Sequence, residues 1–200
     1  MANHTVTFPI SDPQEILKLK AGDEVTVQGH IIGIRDRTQI RIFDQGVEPP
    51  MDLGGAFLLH TAPNVRKVSE DAEGRGTYEK ICIGTTTSAR MVRFTEGLGE
   101  QYGVRAICGK GGFPDEAIEP MHRLGMVYFA IVGGAAALET TQIEEIEEVM
   151  WEELMPECLW KFRVKDFGPL TVGIDAHGNS LYHDVQAQAQ EKLKEIYARL

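Results

Sequence analysis

Cysteine is scarce in this chain. Cys82, Cys108 and Cys158 are the three among 200 residues, an odd and widely spaced set without a C-x-x-C pair. That is no disulfide framework, and it fits a reducing, cytoplasmic setting. Positive charge is also short. Lys and Arg number 20 against 30 Asp and Glu, for a formal net charge of −10. Nucleic acids and anionic membranes call for a basic surface, so neither is an expected partner. A small anionic substrate stays open, because a few clustered cations can make a local positive pocket. Long apolar runs are missing too. The longest, from Met126 to Leu138, contains Gly133 and Gly134 and at 13 residues is too short to span a bilayer. The opening Met-Ala-Asn-His-Thr lacks the basic start and apolar stretch of a signal peptide. No repeat, low-complexity tract or long Pro/Ser linker is visible.

What is present suits one globular α/β domain over 1–200, with 42% apolar and 25% charged residues. Partial alternation with β-branched residues predicts a strand over 24–35, and short apolar runs predict others over 56–60 and 79–83, the last turning at Gly84. Met91, Phe94 and Leu98 at spacings of three and four predict a helix over 88–99. Strands follow over 104–108 and 127–132, with a helix over 115–124 between them. Ile143, Ile146 and Met150 predict a helix over 141–154, stopped by Pro156. Two further strands are read at 162–167 and 170–175. Asp184 is expected to cap a final helix over 184–200 carrying Val185, Ala189, Leu193, Ile196 and Leu200 on one face. Strands alternating with helices imply a mixed sheet flanked by helices.

Three constellations bear chemistry. Gly84-Thr85-Thr86-Thr87-Ser88-Ala89-Arg90-Met91 joins a predicted strand to a predicted helix. Free N–H groups, hydroxyls and a guanidinium one turn in would suit an anion, although a plain capped helix start reads the same way. Cys108-Gly109-Lys110-Gly111-Gly112 also follows a strand and allows close backbone approach to a ligand. It lacks the spacing and the Ser/Thr of a phosphate-binding P-loop. Arg35, Arg37 and Arg41 form the third, with Arg35 at a strand end as the inward candidate and Arg37 and Arg41 expected to pair with Asp36 or Asp44. Two glycine-bearing turns at strand C-termini and one guanidinium together describe a pocket for a small polyanion. The eight acids of 139–157 read as a solvated helix face. Asp175, His177 and His183 match no standard metal spacing, so no metal ligand is assigned.

Thr86-Thr87-Ser88-Ala89-Arg90-Met91 resembles the Gly-Pro-Thr-Thr-Ser-x-Arg-Met signature of class I fumarase C-terminal domains and tartrate dehydratase β subunits. Gly109-Lys110-Gly111 resembles their Gly-Lys-Gly, and Arg35-Asp36 the start of their Arg-Asp-x-x-His. The small-residue stretch 133–138 resembles the family's own stretch before the acidic helix, and 141–149, 155–160, Phe167-Gly168-Pro169-Leu170 and Ile174-Asp175-Ala176-His177-Gly178-Asn179 are most similar to the tartrate branch. The likeness runs over about 19–182.

The resemblance implies a swivelling β/β/α fold and the β role in a heteromeric hydro-lyase. Its partner, a separate α subunit, would hold a [4Fe–4S] cluster whose open iron acts as a Lewis acid on the hydroxyl of a small dicarboxylate. This chain has too few cysteines, poorly spaced, to ligate the cluster itself. By position, Thr86 is implied to be catalytic, with a carboxylate partner from the other subunit. Arg35, Arg90 and Lys110, together with Thr87, Gly109 and Gly111, are implied to bind substrate. Two departures stand out: Thr85 replaces the family proline and Gln39 the family histidine. They open a second expectation, a non-catalytic dicarboxylate-binding paralogue.

Overall fold

The structure, a computed structural model, describes residues 1–198. In chain order its regular elements are β1 (Asn3–Phe8), α1 (Gln14–Leu17), β2 (Glu24–Ile34), α2 (Asp36–Phe43), β3 (Phe57–His60), β4 (Asn64–Glu70), β5 (Gly76–Cys82), α3 (Thr95–Tyr102), β6 (Ala106–Gly109), α4 (Ile118–Leu124), β7 (Val127–Ala130), β8 (Ile143–Met150), β9 (Leu159–Ile174) and α5 (Leu181–Tyr197). Strands β2, β3, β6 and β7 are mutually parallel neighbours. The long β9 runs antiparallel to both β2 and β7, so the sheet closes on itself in the order β2-β3-β6-β7-β9. β1 and β8 extend the ring from β2 and β9. The β4–β5 hairpin stands apart as a two-stranded sheet.

The alternation of side chains explains the closure. Phe57 and Leu59, Ala106 and Cys108, and Val127 and Phe129 enter one core with Trp160 and Phe162. Their neighbours Leu58, Ile107 and Tyr128 enter a second core, which Ile42, Leu98 and Met121 complete from α2, α3 and α4. Strands buried on both faces need continuous apolar runs, which is how β3, β6 and β7 read in the sequence. The parallel crossovers place the C-terminal ends of β2, β3 and β6 together.

Several expectations are corrected. The stretch 141–154 is not a helix; Ile143–Met150 is strand β8. Its apolar positions recur every three residues because two bulges each add a residue. Ile143, Ile146 and Val149 oppose Val164, Phe162 and Trp160, which recur every two. A bulged strand thus carries a helix-like spacing. Its glutamates are a solvated ladder: Glu145 pairs with Arg163, and Glu148 with Lys161 at 2.6 Å. The two strands expected over 162–167 and 170–175 are one, β9, bent where Asp166 takes a positive φ of 54°. The helix over 88–99 splits into a 3-10 segment, Ala89–Phe94, and α3. Ser180, not Asp184, caps α5, accepting from the His183 N–H at 3.3 Å. Val185, Leu193 and Ile196 of α5 are exposed, and Leu200 lies outside the described residues. β1 and β4 were not anticipated. Among the described residues no helix is long and apolar enough to cross a membrane.

Candidate active site

The threonine turn is fixed by glycine. Gly84 has φ +59°, and a Cβ there would fall 2.4 Å from the Ala62 carbonyl oxygen. From that point the chain crosses the strand ends in extended form. The Thr86 N–H donates to the His60 carbonyl at 2.9 Å, the Lys110 N–H to the Thr86 carbonyl at 3.1 Å, and the Ser88 N–H to the Lys110 carbonyl at 3.1 Å. The N–H groups of Thr86 and Ser88 are therefore engaged by β3 and β6. The expected helix N-terminus is displaced to Ala89, and the turn acts through its side chains instead.

Arg90 lies across those side chains. Its Nε and one Nη donate to the two Asp36 oxygens at 2.8 and 2.7 Å. The same Nη donates to Thr86 Oγ1 at 3.1 Å, and the other donates to the Thr87 carbonyl at 3.1 Å. The fork expected to face a substrate carboxylate thus faces Asp36. Burial works against ionisation of Asp36, but the Arg90 and Arg35 hydrogen bonds and the Arg90 charge outweigh it and hold the carboxyl below its usual range. The Asp36 hydrogen bond in turn raises the Arg90 guanidinium.

Arg35, at the end of β2, gives its Nε to Asp36 at 3.1 Å and stands 3.8 Å from Glu157. Glu157 also accepts the Arg37 N–H at 2.9 Å, capping the first turn of α2 from a distant segment. Among the described residues, the Nη atoms of Arg35 and the Nζ of Lys110 have no acidic partner. Arg41 pairs with Glu153 rather than with Asp36 or Asp44, and Asp44 pairs with Arg93. The structure therefore brings together Thr86, Thr87, Arg90, Lys110 and Arg35, and leaves Arg37 and Arg41 outside.

Beneath the turn lies a buried polar chain that the sequence reading missed. His60 Nδ1 is 2.9 Å from Ser88 Oγ, and Tyr128 Oη is 3.1 Å from Ser88 Oγ and 2.7 Å from the Gly109 carbonyl. A carbonyl only accepts, so the phenol proton goes to Gly109. Ser88 then donates to Tyr128, and His60 donates from Nδ1 to Ser88. His60 is thereby a neutral imidazole with a bare Nε2, which has no partner among the described residues. Burial, helped by the Arg90 charge and opposed by Asp36, lowers its pKa to about 3. Gly109 is required here, since a Cβ would fall 2.1 Å from Ser88 Oγ. Gly111, with φ +79°, keeps its backbone against Thr87, where a Cβ would lie 3.1 Å from Thr87 Cγ2.

The two departures lie behind the surface. Gln39 is fully buried, its Nε2 donating to Met91 Sδ at 3.1 Å. Thr85 ties the turn to the Val132 carbonyl at 3.3 Å. Asp175 accepts from the N–H groups of Ala21, His177 and Asn179, which makes it a turn holder. Cys108 and Cys158 are buried thiols that desolvation pushes up, and Cys82 sits apart at the end of β5. These residues do not fit a cluster site, and among the described residues no group of three or more His, Cys, Asp or Glu could hold a metal ion.

A profile of the family described as Fumarase C-terminus matches residues 4–185. The chain is 38% identical over 177 residues to the "L(+)-tartrate dehydratase subunit beta" of Escherichia coli K12, covering 88% of this chain and 85% of that one. It is 35% identical over 195 residues to a "Putative L(+)-tartrate dehydratase subunit beta" of Methanocaldococcus jannaschii, covering 95% and 97%. Over 193 residues it is 35% identical to a "Putative fumarate hydratase class I" of Geobacillus stearothermophilus, covering 96% of this chain and 36% of that longer protein. With most of its length matched and its relatives above a third identical, this chain belongs to the Fumarase C-terminus family.

Proposed function

We propose that the chain is the β subunit of a hydro-lyase that reversibly dehydrates or hydrates a small dicarboxylate, tartrate or malate/fumarate. The observation that carries this reading is the meeting of Thr86 with Arg90, Lys110 and Arg35 at the joined ends of β2, β3 and β6. The relatives' names support it. The match to about a third of a longer hydratase supports a separate α subunit supplying the rest, in a cytoplasmic heteromer. In this reading the partner holds the [4Fe–4S] cluster and the closed ring swivels against it as one body.

The residues of this chain then divide the work. Lys110 and the Nη atoms of Arg35 grip the substrate carboxylates, each contact contributing about 1.5–3 kcal/mol. Gly109 and Gly111 admit the substrate close to the backbone, and Thr87 lines it. Arg90 offers its remaining N–H. In dehydration the Thr86 oxygen takes the proton from the carbon beside a carboxylate, and in hydration its O–H returns it. A carboxylate from the partner exchanges the hydroxyl proton. Reconstitution with the cluster-bearing partner under anaerobic conditions tests this, with tartrate, fumarate and mesaconate as substrates. Thr86→Val is expected to lower kcat at least ~10²-fold. Full turnover by that variant would remove Thr86 from the mechanism. Assembled subunits that neither bind nor turn over any of the acids would leave the non-catalytic paralogue.

A further inference from the structure

The donor count of Arg90 is nearly exhausted within the chain. A guanidinium has five N–H groups. Two meet the Asp36 oxygens, one meets Thr86 Oγ1, and one meets the Thr87 carbonyl. One N–H is left, on the Nη that serves Thr87. A two-pronged grip on a substrate carboxylate would have to displace Asp36. That carboxylate is tied to Arg35 as well, at 3.1 Å, and it opens α2, whose next N–H is capped by Glu157. Asp36 is thus held by Arg35 and by its place at the start of a capped helix, and presents a fixed edge to Arg90.

We propose that Asp36 is a positioning residue that works through Arg90 on the Thr86 hydroxyl, so that Arg90 serves the reacting oxygen first and keeps a single N–H for the substrate. Asp36 takes the Nε edge of the guanidinium and fixes its plane. One N–H is then aimed at Thr86 Oγ1, where negative charge develops as the hydroxyl gives up its proton. A fixed donor at a developing oxyanion lowers the cost of that charge, because nothing needs to reorganise. The carboxylate grip is left to Arg35 Nη and Lys110. This inference rests on the reading that Thr86 is the reacting hydroxyl.

The test uses the anaerobically reconstituted complex. Asp36→Asn keeps the shape and removes the charge. It is expected to lower kcat about 10- to 100-fold, the usual cost of losing a residue that orients an active group, with KM changing less than about threefold. Without the fixed N–H, the rising limb of the kcat–pH profile moves to higher pH. Asp36→Glu restores part of kcat. Arg90→Lys lowers kcat similarly, and the Asp36→Asn/Arg90→Lys pair is no worse than Arg90→Lys alone, because both act through one contact. If Asp36→Asn fails to fold, Arg90→Lys carries the same kcat and pH readout. A normal kcat and pH profile, or a lowered KM from a freed Arg90 fork, would overturn the proposal. Thr86→Val run alongside separates the two readings. If Thr86→Val is inactive while Asp36→Asn is normal, only this inference fails; if Thr86→Val is active, the role of Thr86 itself fails.

Discussion

Replacing Gly109 by alanine probes the joint between the sheet and the threonine turn. The added carbon would sit 2.1 Å from Ser88 Oγ, 3.1 Å from the Thr86 carbonyl oxygen and 3.2 Å from His60 Cβ. Ser88 must retreat by more than an ångström, or β6 must shift. Overpacking of this kind costs about 1–3 kcal/mol. Retreat of Ser88 also breaks its contacts to His60 Nδ1 and Tyr128 Oη, and a buried polar group left unpaired costs about 1–3 kcal/mol more. At roughly 2–4 °C per kcal/mol for a chain of this size, the thermal midpoint should fall by at least ~4 °C. Thr86 moves with its carbonyl, so turnover of the assembled enzyme should fall by about 10²-fold. Ser88→Ala supplies the control, because it removes the clashing oxygen. In that background Gly109→Ala should cost about 1–3 kcal/mol less than alone. A Gly109→Ala protein melting within ~1 °C of the parent, or strictly additive changes in the double variant, would refute the packing argument.

The buried imidazole and the α5 cap give two more predictions. His60 keeps a folded pKa of about 3 against the ordinary imidazole value of 6.5, so the unfolded chain binds the extra proton. Stability should therefore be unaffected by this group above pH 6.5 and should fall as pH drops from about 6.5 toward 3. His60→Asn should flatten that slope in urea titrations run across this range, and an unchanged slope would sink the assignment. Ser180→Ala should cost about 1 kcal/mol through loss of the α5 cap, with Asp184→Ala costing less. Thermal melts of the two variants decide which residue is the cap.

Much of the fold was legible because its central strands are buried on both faces and show as short apolar runs between turn residues. The parts that were not legible failed for a physical reason. In β8 the bulges stretch the inward spacing from two to three, and no local pattern distinguishes that from a helix face. In β9 two residues with positive φ, Asp166 and Gly168, break one strand into what reads as two. The cap of α5 failed because Ser180 and Asp184 are both capping types, and only geometry selects between them. The exposed strand β4 carries too little apolar pattern to register, and β1 buries only Val6 and Phe8.

For the site, the motifs and the resemblance nominated Thr86, Arg90, Lys110 and Arg35 as candidates but could not assign their hydrogen bonds. Asp36 stands next to Arg35 in the chain, yet its main partner, Arg90, is 54 residues away. His60 meets Ser88, and Glu157 meets Arg35, only in the fold. The charge ledger changes as a result. Arg35, Arg90 and Lys110 bring three positive charges, and Asp36 and Glu157 return two negative ones. On the proposed reading a net single positive charge faces a substrate carrying two negative ones. The cluster therefore makes a weaker anion pocket here than its count suggests, because two of its three positive charges are already matched by carboxylates. This is the balance expected of a half-site. Asp36 fixes where Arg90 points, and on the proposed reading the remaining positive charge arrives with the partner surface that closes over Thr86.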